Sequence, residues 1–268
     1  MQAERVKTLA IANQKGGVAK TTTAINLAAA LGEHGHKVLV IDIDPQGNAS
    51  TGLGVDPSRR EKSVYDLLMG DARPADIATQ SSADNVWVIP SSPDLSSSDV
   101  ELHGTARRVY LLRDALHGET APELAFDHVL IDCPPSLSLL TVNALVAADS
   151  VLVPLQCEFF ALEGLSQLLL TVREIREAAN ETLRVEGVLL TMHDRRNNLS
   201  LQVERDARET LGDLVFRTVI PRNVRLSEAP SYAIPALSYD PNSTGARAYR
   251  AFAREFLKLD CLVDSEER

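Results

Sequence analysis

Lys15-Gly16-Gly17-Val18-Ala19-Lys20-Thr21-Thr22 decides how the rest of the chain is read. An apolar run, Leu9-Ala10-Ile11-Ala12, precedes it, and a helix-forming run at 24–31 follows. Strand, glycine-rich turn and helix is the context in which backbone cradles phosphate. N–H groups and a helix N-terminus converge on anionic oxygens, a lysine reaches the outer phosphates, and a threonine hydroxyl holds Mg2+. A lone Gly-Gly turn is often only a turn, so the reading rests on its company. Lys15, at the head of the loop, is a second lysine that an ordinary phosphate-binding loop does not need.

Outward from the loop, apolar β-rich runs recur at 6–12, 38–41, 86–89, 128–131, 150–155, 185–191 and 215–220. Helical stretches at 21–33, 106–116, 139–147, 162–179 and 199–211 separate most of them. The alternation predicts an α/β fold, a mostly parallel twisted sheet with helices on both faces. Right-handed crossovers then put the strand C-terminal ends along one edge, where ligands bind. The segment 47–102 is rich in Ser, Asp, Gly and Pro, with a short helix expected at 64–69. Apolar strand material resumes inside it, so it reads as an excursion from one domain spanning 1–268 and not as a linker. A last helix at 245–259 leads to the polar tail 264–268, expected to fray.

Bulk properties exclude several classes. The 268 residues are 44% hydrophobic and 24% charged, ordinary globular values, with a net charge of −10. That balance argues against a uniformly basic surface but leaves room for a local basic patch. Cys133, Cys157 and Cys261 are odd in number and far apart, giving no metal spacing or disulfide framework, which fits a reducing cytosol. No charged-then-apolar leader and no run of about 18 apolar residues is found, so a soluble, cytoplasmic protein is expected. Trp87 reads as a packed strand residue, and His103, His117 and His193 as surface or loop residues without ligand spacing.

Further pieces belong with the loop. Val38-Leu39-Val40-Ile41-Asp42-Ile43-Asp44 delivers Asp44 just past a strand end, His128-Val129-Leu130-Ile131-Asp132 ends in a second aspartate, and Ile220-Pro221-Arg222-Asn223 leads into a turn at the same edge. Lys20 and the loop amides would neutralise phosphate charge, Thr21 would ligate Mg2+, Asp132 would orient its shell through water, and Asp44 would position attacking water. Phosphoryl transfer needs little beyond positioning and electrostatic stabilisation, so this short set suffices. Asp42 reads as structural more readily than catalytic, because Pro45-Gln46-Gly47 leaves the strand directly after Asp44. Arginines gather toward the C-terminal half: Arg195-Arg196 and Arg222 with Arg225 in turns, and Arg247, Arg250 and Arg254 at helical spacing. Such a patch is either a solvated, ion-paired face or a phosphate-contacting surface.

The pattern Lys-Gly-Gly-x-x-Lys-Thr resembles the deviant Walker A box of the ParA/MinD class of P-loop ATPases. Asn13-Gln14, the run from Asp42 to Asn48, the run from Pro154 to Gly164 (with Gln156-Cys157-Glu158-Phe159-Phe160 at its centre) and the run from Ile220 to Pro230 are similar to the chromosomal ParA (Soj) family in particular. The likeness covers nearly the whole chain. It implies a P-loop NTPase-type fold and a slow, Mg2+-dependent ATP hydrolase using ATP/ADP. Lys15, Gly16, Gly17, Val18, Ala19, Lys20, Thr21 and Thr22 would bind nucleotide, with Met192, Pro221 and Arg222 at the adenine. Catalysis would fall to Lys15, Lys20 and Asp44, and the metal to Thr21, with Asp44 and Asp132 through water.

The resemblance also implies partners. Lys15 would reach across an ATP-bound homodimer, the dimer would hold nonspecific double-stranded DNA, and a ParB-type centromere-binding protein would stimulate hydrolysis. Arg196 and Arg225 match the family's DNA-contacting arginines, with Arg195, Arg247 and Arg250 as further candidates and Arg222 open between DNA and nucleotide. Glu158 is open between an approach to nucleotide or partner and a helix cap. A cytoplasmic, nucleoid-associated protein without membrane attachment follows. Ala19 departs from the family's usual glycine: a backbone at φ > 0 would strain it, and close phosphate approach would crowd its methyl. Slowed hydrolysis is the expected consequence, and an ATP-gated scaffold is one alternative. A MinD-like membrane regulator is disfavoured by the acidic C-terminal finish, and an iron–sulfur redox protein by the cysteine positions.

Overall fold

The computed structural model describes residues 6–102, 104, 107–117, 125–158 and 161–266. His103, Ala106 (the start of one expected helix), Phe159, Phe160, Glu267 and Arg268 lie outside the described residues. Among those described, seven strands form one sheet: β1 (Lys7–Ile11), β2 (Val38–Asp42), β3 (Thr79–Gln80), β4 (Val86–Ile89), β5 (His128–Asp132), β6 (Ser150–Gln156) and β7 (Arg184–Thr191). The order is β3-β4-β2-β5-β1-β6-β7. All pairings are parallel except that of the edge strand β3 with β4. The helices are α1 (Lys20–Glu33), α2 (Asn48–Gly52), α3 (Val64–Met69), α4 (Pro74–Ile77), α5 (Ser98–Glu101), α6 (Leu111–His117), α7 (Leu139–Ala147), α8 (Ala161–Ala178), α9 (Asn198–Leu211), α10 (Val224–Glu228), α11 (Ala236–Tyr239) and α12 (Thr244–Glu266).

Alternation along each strand divides the core in two. Ala10, Leu39, Ile41, Val129, Ile131, Val151 and Val153 face a cluster shared with α3, α6, α7, α8 and α9. Leu9, Ile11, Val38, Val40, Leu130 and Leu152 face the other, shared with α1, α2 and α12. Because both faces are covered, the strands read as continuous apolar runs and not as alternating ones. Segment 47–102 adds β3 and β4 to the same sheet.

Three expectations change. The run at 215–220 is not a continuous strand: it lies along β7 through an isolated bridge of Val215 with Val188 and through the amides of Phe216 and Ile220, which donate to the carbonyls of Val188 (3.0 Å) and Leu190 (2.8 Å). Glu255 of α12 takes the amides of Arg217 (2.7 Å) and Thr218 (2.8 Å), and Arg208 donates to the carbonyls of Phe216 and Arg217. Side chains thus satisfy backbone groups between the two amides that reach β7, and they blunt the sheet edge. The helix expected from 106 begins at Leu111, because Arg107 has φ of 63° and a left-handed residue cannot continue an α-helix. The last helix runs from Thr244 to Glu266, through the first part of the tail expected to fray. Trp87 is half-buried with its ring against Phe126, as expected of a packed strand residue.

At the sheet edge remote from the loop, His128 is buried and neither ring nitrogen has a hydrogen-bond partner. Burial, helped by His36 and Lys7 and opposed by Asp127 and Glu186, holds its pKa at about 4, below the usual 6.5. The fold keeps His128 neutral while the unfolded chain protonates it. Its contribution is therefore full above about pH 6.5 and is lost as pH falls toward about 4. Asp42, whose carboxyl burial raises to about 6, works in the opposite direction. Comparison with His128→Leu isolates the histidine: the wild type loses up to about 3 kcal/mol more than the variant between about pH 6.5 and pH 4, measured by urea unfolding.

Candidate functional site

The loop between β1 and α1 turns twice through left-handed backbone, at Gly17 (φ 76°) and at Ala19 (φ 69°, ψ 33°). Gly16 and Gly17 are exposed, and a Cβ on Gly17 would meet nothing within 4 Å. The Lys20 ammonium crosses the loop to the Lys15 carbonyl at 3.1 Å, and Asn13 fixes the entry by accepting from the Lys15 amide at 3.0 Å. Thr191, at the end of β7, donates to the Val18 carbonyl at 3.1 Å. This is an open, amide-lined cradle on a helix N-terminus, held from both sides, and it fits a polyphosphate.

Ala19 carries a Cβ where glycine would have none. An L-residue in this conformation costs about 1–2 kcal/mol, which settles the first of the two ways in which its methyl could matter. Its carbonyl accepts the first helical bond from Thr23 at 2.9 Å.

Behind the cradle lie Lys20, Asp42, Asp44 and Asp132, all buried. They meet because β1, β2 and β5 are adjacent and in register, with Asp42 opposite Asp132 and Ile11 opposite Asp132. Burial pushes the Asp132 carboxyl well above the usual carboxylate range, and the Asp42 charge adds to it; the Thr21 hydroxyl and Lys20 oppose. Neither Asp132 oxygen reaches a partner within hydrogen-bond geometry. Burial also lowers the Lys20 pKa, against Asp132, Cys133 and Asp44.

A buried carboxylate with unused oxygens beside a threonine hydroxyl fits a hydrated Mg2+ held through water. Among the described residues no group of three or more His, Cys, Asp or Glu side chains could chelate an ion outright. Cys133 and Cys157 are free, buried thiols.

Asp42 and Asp44 differ in their partners. Asp42 accepts from the Ser50 amide (2.7 Å) and hydroxyl (2.6 Å) and from the Asp44 amide (3.3 Å), contacts that tie it to the loop that follows β2. Asp44 accepts from the Gln46 amide through Oδ1 at 3.0 Å, leaving Oδ2 without a protein partner among the described residues.

On the other flank, Met192 has φ of 50°, and His193 pairs with Pro221, with the Arg222 amide on the His193 carbonyl at 2.9 Å. The structure therefore brings Met192, Pro221 and Arg222 into one pair of turns, linked to the loop by Thr191. Of the surface or loop positions expected for His193 the structure gives the loop: it follows β7, but it is buried, with Glu204 at 2.9 Å. Lys15 pairs with Glu158 at 3.0 Å, both half-exposed. An exposed pair of this kind contributes at most about 1 kcal/mol, so Lys15 is cheaply released to another anion.

Comparisons with known proteins agree with this geometry. Residues 6–185 match a family model described as an AAA domain. The chromosome partitioning protein ParA of Caulobacter vibrioides is 55% identical over 97% of this chain and 97% of its own. The chain belongs to the ParA/Soj family. Among solved structures, cobyrinic acid a,c-diamide synthase of Mycobacterium smegmatis, with bound ADP and magnesium, is 38% identical with a TM-score of 0.81, covering 95% of each chain. The septum site-determining protein MinD of Pyrococcus horikoshii, complexed with Mg-ADP, is 28% identical with a TM-score of 0.78, covering 96% of this chain and 98% of that one. As a member of the ParA/Soj family the chain is a P-loop ATPase.

The arginines that the ParA resemblance singled out fall into two groups. Arg195, Arg196, Arg222, Arg225 and Arg247 are exposed. Adjacency links them: Arg222 acts on Asp194, which Arg196 grips at 3.1 Å, and Asn223, the cap of α10, bonds Thr244 at the start of α12 (2.7 Å). Arg225 is already paired with Glu228 (2.7 Å) and Asp240 (3.3 Å). Arg250 differs: it grips Glu33 of α1 with two bonds (2.6 and 2.7 Å) and donates to the carbonyls of Pro241 and Leu237. Its donors join α12 to α1, so it does not add a free cation to a surface patch. Thr191 and Arg60, which organise the site, were missed from sequence. A threonine closing an apolar strand was the only signal for the first, and the second had none.

The left-handed backbone at residue 19 predicts that Ala19→Gly stabilises the chain. Strain relief outweighs the extra entropy of glycine by about 1 kcal/mol, measurable as a raised urea midpoint with an unchanged slope. Asp132→Asn should leave nucleotide affinity without Mg2+ within about threefold of wild type and abolish the enhancement that Mg2+ gives, read by calorimetric titration of ADP with and without the metal.

Proposed function

We propose that this chain is an ATP-dependent DNA-partitioning ATPase, cytoplasmic and nucleoid-associated, in which ATP joins two copies into a sandwich dimer that holds double-stranded DNA without regard to sequence. A ParB-type centromere-binding protein then stimulates hydrolysis and releases the DNA. The observation that carries this reading is the two-lysine loop within a chain 55% identical, end to end, to a chromosome-partitioning ParA. The exposed arginines linked from Arg196 to Arg247 support the DNA arm, and the weak, releasable Lys15–Glu158 pair supports the dimer arm. The lower identity to MinD, 28%, favours DNA over a membrane as the partner surface.

In this reading the loop amides and Lys20 bind the phosphates, and Lys15 reaches those of the other copy. Bound Mg2+ supplies neutralisation of phosphate charge, with Thr21 and Asp132 as its protein contacts, Asp132 through water. Asp44 Oδ2 orients the attacking water and accepts its hydrogen bond. Met192, Pro221 and Arg222 flank the base. A second reading, an ATP-gated scaffold that hydrolyses slowly, draws on the left-handed Ala19. Turnover in Ala19→Gly tests it: a rise of about tenfold favours the scaffold, and an unchanged rate overturns it.

DNA binding measured with ATP, with ADP and without nucleotide, across a salt series, tests the main reading. Binding should require ATP and fall steeply with salt. Arg196→Ala and Arg225→Ala should each weaken it and reduce the salt slope by about one. Lys15→Gln should bind ADP normally, stay monomeric with ATP by light scattering, and lose DNA binding. DNA binding that is indifferent to nucleotide, or a Lys15→Gln chain that still dimerises, would refute the coupling.

A further inference from the structure

We infer that Arg60 is the positioning residue for Asp44: its guanidinium fixes the loop on which Asp44 rides, so that the carboxylate is presented at one place. The inference rests on the reading of Asp44 given above. After β2 the chain leaves the sheet at Ile43, turns at Gly47 (φ 64°) and makes a single helical turn, α2. One turn of helix does not hold itself, so something must fix it. On the sheet side that is Asp42, Ser50 and Ser91. Asp42 holds Ser50, the Ser91 amide donates to the Ser50 hydroxyl at 3.0 Å, and the Ser91 hydroxyl donates to the Asp44 carbonyl at 2.5 Å.

Arg60 closes the other side. Nη2 donates to the Thr51 hydroxyl (2.8 Å) and the Val55 carbonyl (2.9 Å), and Nε donates to Val55 again (3.2 Å). Longer bonds of 3.4 Å reach the Gly47 and Ser91 carbonyls. One planar fork thus spans the beginning of α2, its end, and the segment after β4. A Cβ on Gly47 would lie 2.4 Å from Nη1, which shows how closely the guanidinium covers that turn. Among the described residues Arg60 makes no ion pair within 4 Å, and the carboxylates of the buried Asp42 and the exposed Asp56 act on it from a distance. Its hydrogen bonds therefore go to loop carbonyls and a hydroxyl and not to a surface acid. A lysine, with one ammonium point, could not hold these positions together.

The experiment uses the full chain with Arg60→Ala, Arg60→Lys, Asp44→Ala and the Arg60→Ala/Asp44→Ala pair. Arg60→Ala should lower kcat for ATP about tenfold or more, with KM and ADP affinity within about twofold of wild type. Arg60→Lys should recover only part of the rate. Amide exchange at 46–55 should accelerate in Arg60→Ala while β1 and β5 stay protected. Added to Asp44→Ala, the Arg60 change should alter turnover less than about twofold, because both act through one carboxylate.

Wild-type kcat in Arg60→Ala, a parallel loss of ADP affinity and of β1 protection, or full additivity in the pair would each overturn the inference. Asp44→Ala at the wild-type rate would remove the reading of Asp44 and this inference with it. A slow Asp44→Ala beside a normal Arg60→Ala would remove this inference alone.

Discussion

Three buried carboxylates and one buried ammonium meet where β1, β2 and β5 end, and the local architecture is arranged around that meeting. Burying one unpaired charge costs several kcal/mol, so such a cluster persists only where the surrounding fold enforces it. The fold does so by register: parallel β2 and β5 set Asp42 opposite Asp132, and β1 between β5 and β6 brings Lys20 over them through the loop. Each carboxylate then resolves its burial differently. Asp42 takes donors from its own loop, Asp44 keeps one oxygen on a backbone amide, and Asp132 takes none. That difference sorts three chemically identical groups by the oxygens they leave free, and it is the basis on which the proposed function gives Asp44 the water and Asp132 the metal.

The same economy governs the backbone. The phosphate loop needs left-handed turns, and the chain makes one with glycine, at Gly17, and one with alanine, at Ala19. Strain of this kind survives when neighbours over-determine the geometry. Thr191 on the Val18 carbonyl, Lys20 on the Lys15 carbonyl and Asn13 on the Lys15 amide do so here. At the far edge of the sheet, residues 215–220 carry the composition of a strand and reach β7 through the Phe216 and Ile220 amides, but the amides of Arg217 and Thr218 and the carbonyls of Phe216 and Arg217 are claimed by Glu255 and Arg208. Composition sets what a segment could pair with. The packing of α12 decides what it does pair with.

Much of this was legible in the sequence because its signals are local. The loop, its strand and its helix lie within a few residues of one another, and six of the seven apolar runs became strands at nearly the expected bounds. The two-residue β3 carried too few residues to show a period. Arg107 broke its helix through a backbone angle that arginine does not advertise. The organisation around Asp44 was hidden for a different reason: Arg60, Ser50 and Ser91 are ordinary residues in a Ser-rich, irregular segment. Their importance comes from contacts between residues far apart in sequence, such as Ser91 with Asp44. Likewise, helical spacing placed Arg250 beside Arg247, but only the position of α1 reveals that Glu33 consumes its donors.

The net charge of −10 and the proposed affinity for DNA are reconciled by how the arginines are kept. Arg196 is held by Asp194, Arg225 by Glu228 and Asp240, and Lys15 by Glu158, all in exposed or half-exposed pairs. Water screens pairs of this kind, so a phosphate can replace the carboxylate at little cost. The acids nevertheless lower the potential that one copy presents, and one patch in an acidic field binds weakly at physiological salt. Two patches brought together act on one stretch of DNA, and the second contact is then intramolecular. In the proposed cycle the acidic partners therefore do not oppose DNA binding so much as make it conditional. They hold single copies below the threshold for useful affinity, and only the joining of two copies by nucleotide raises them above it.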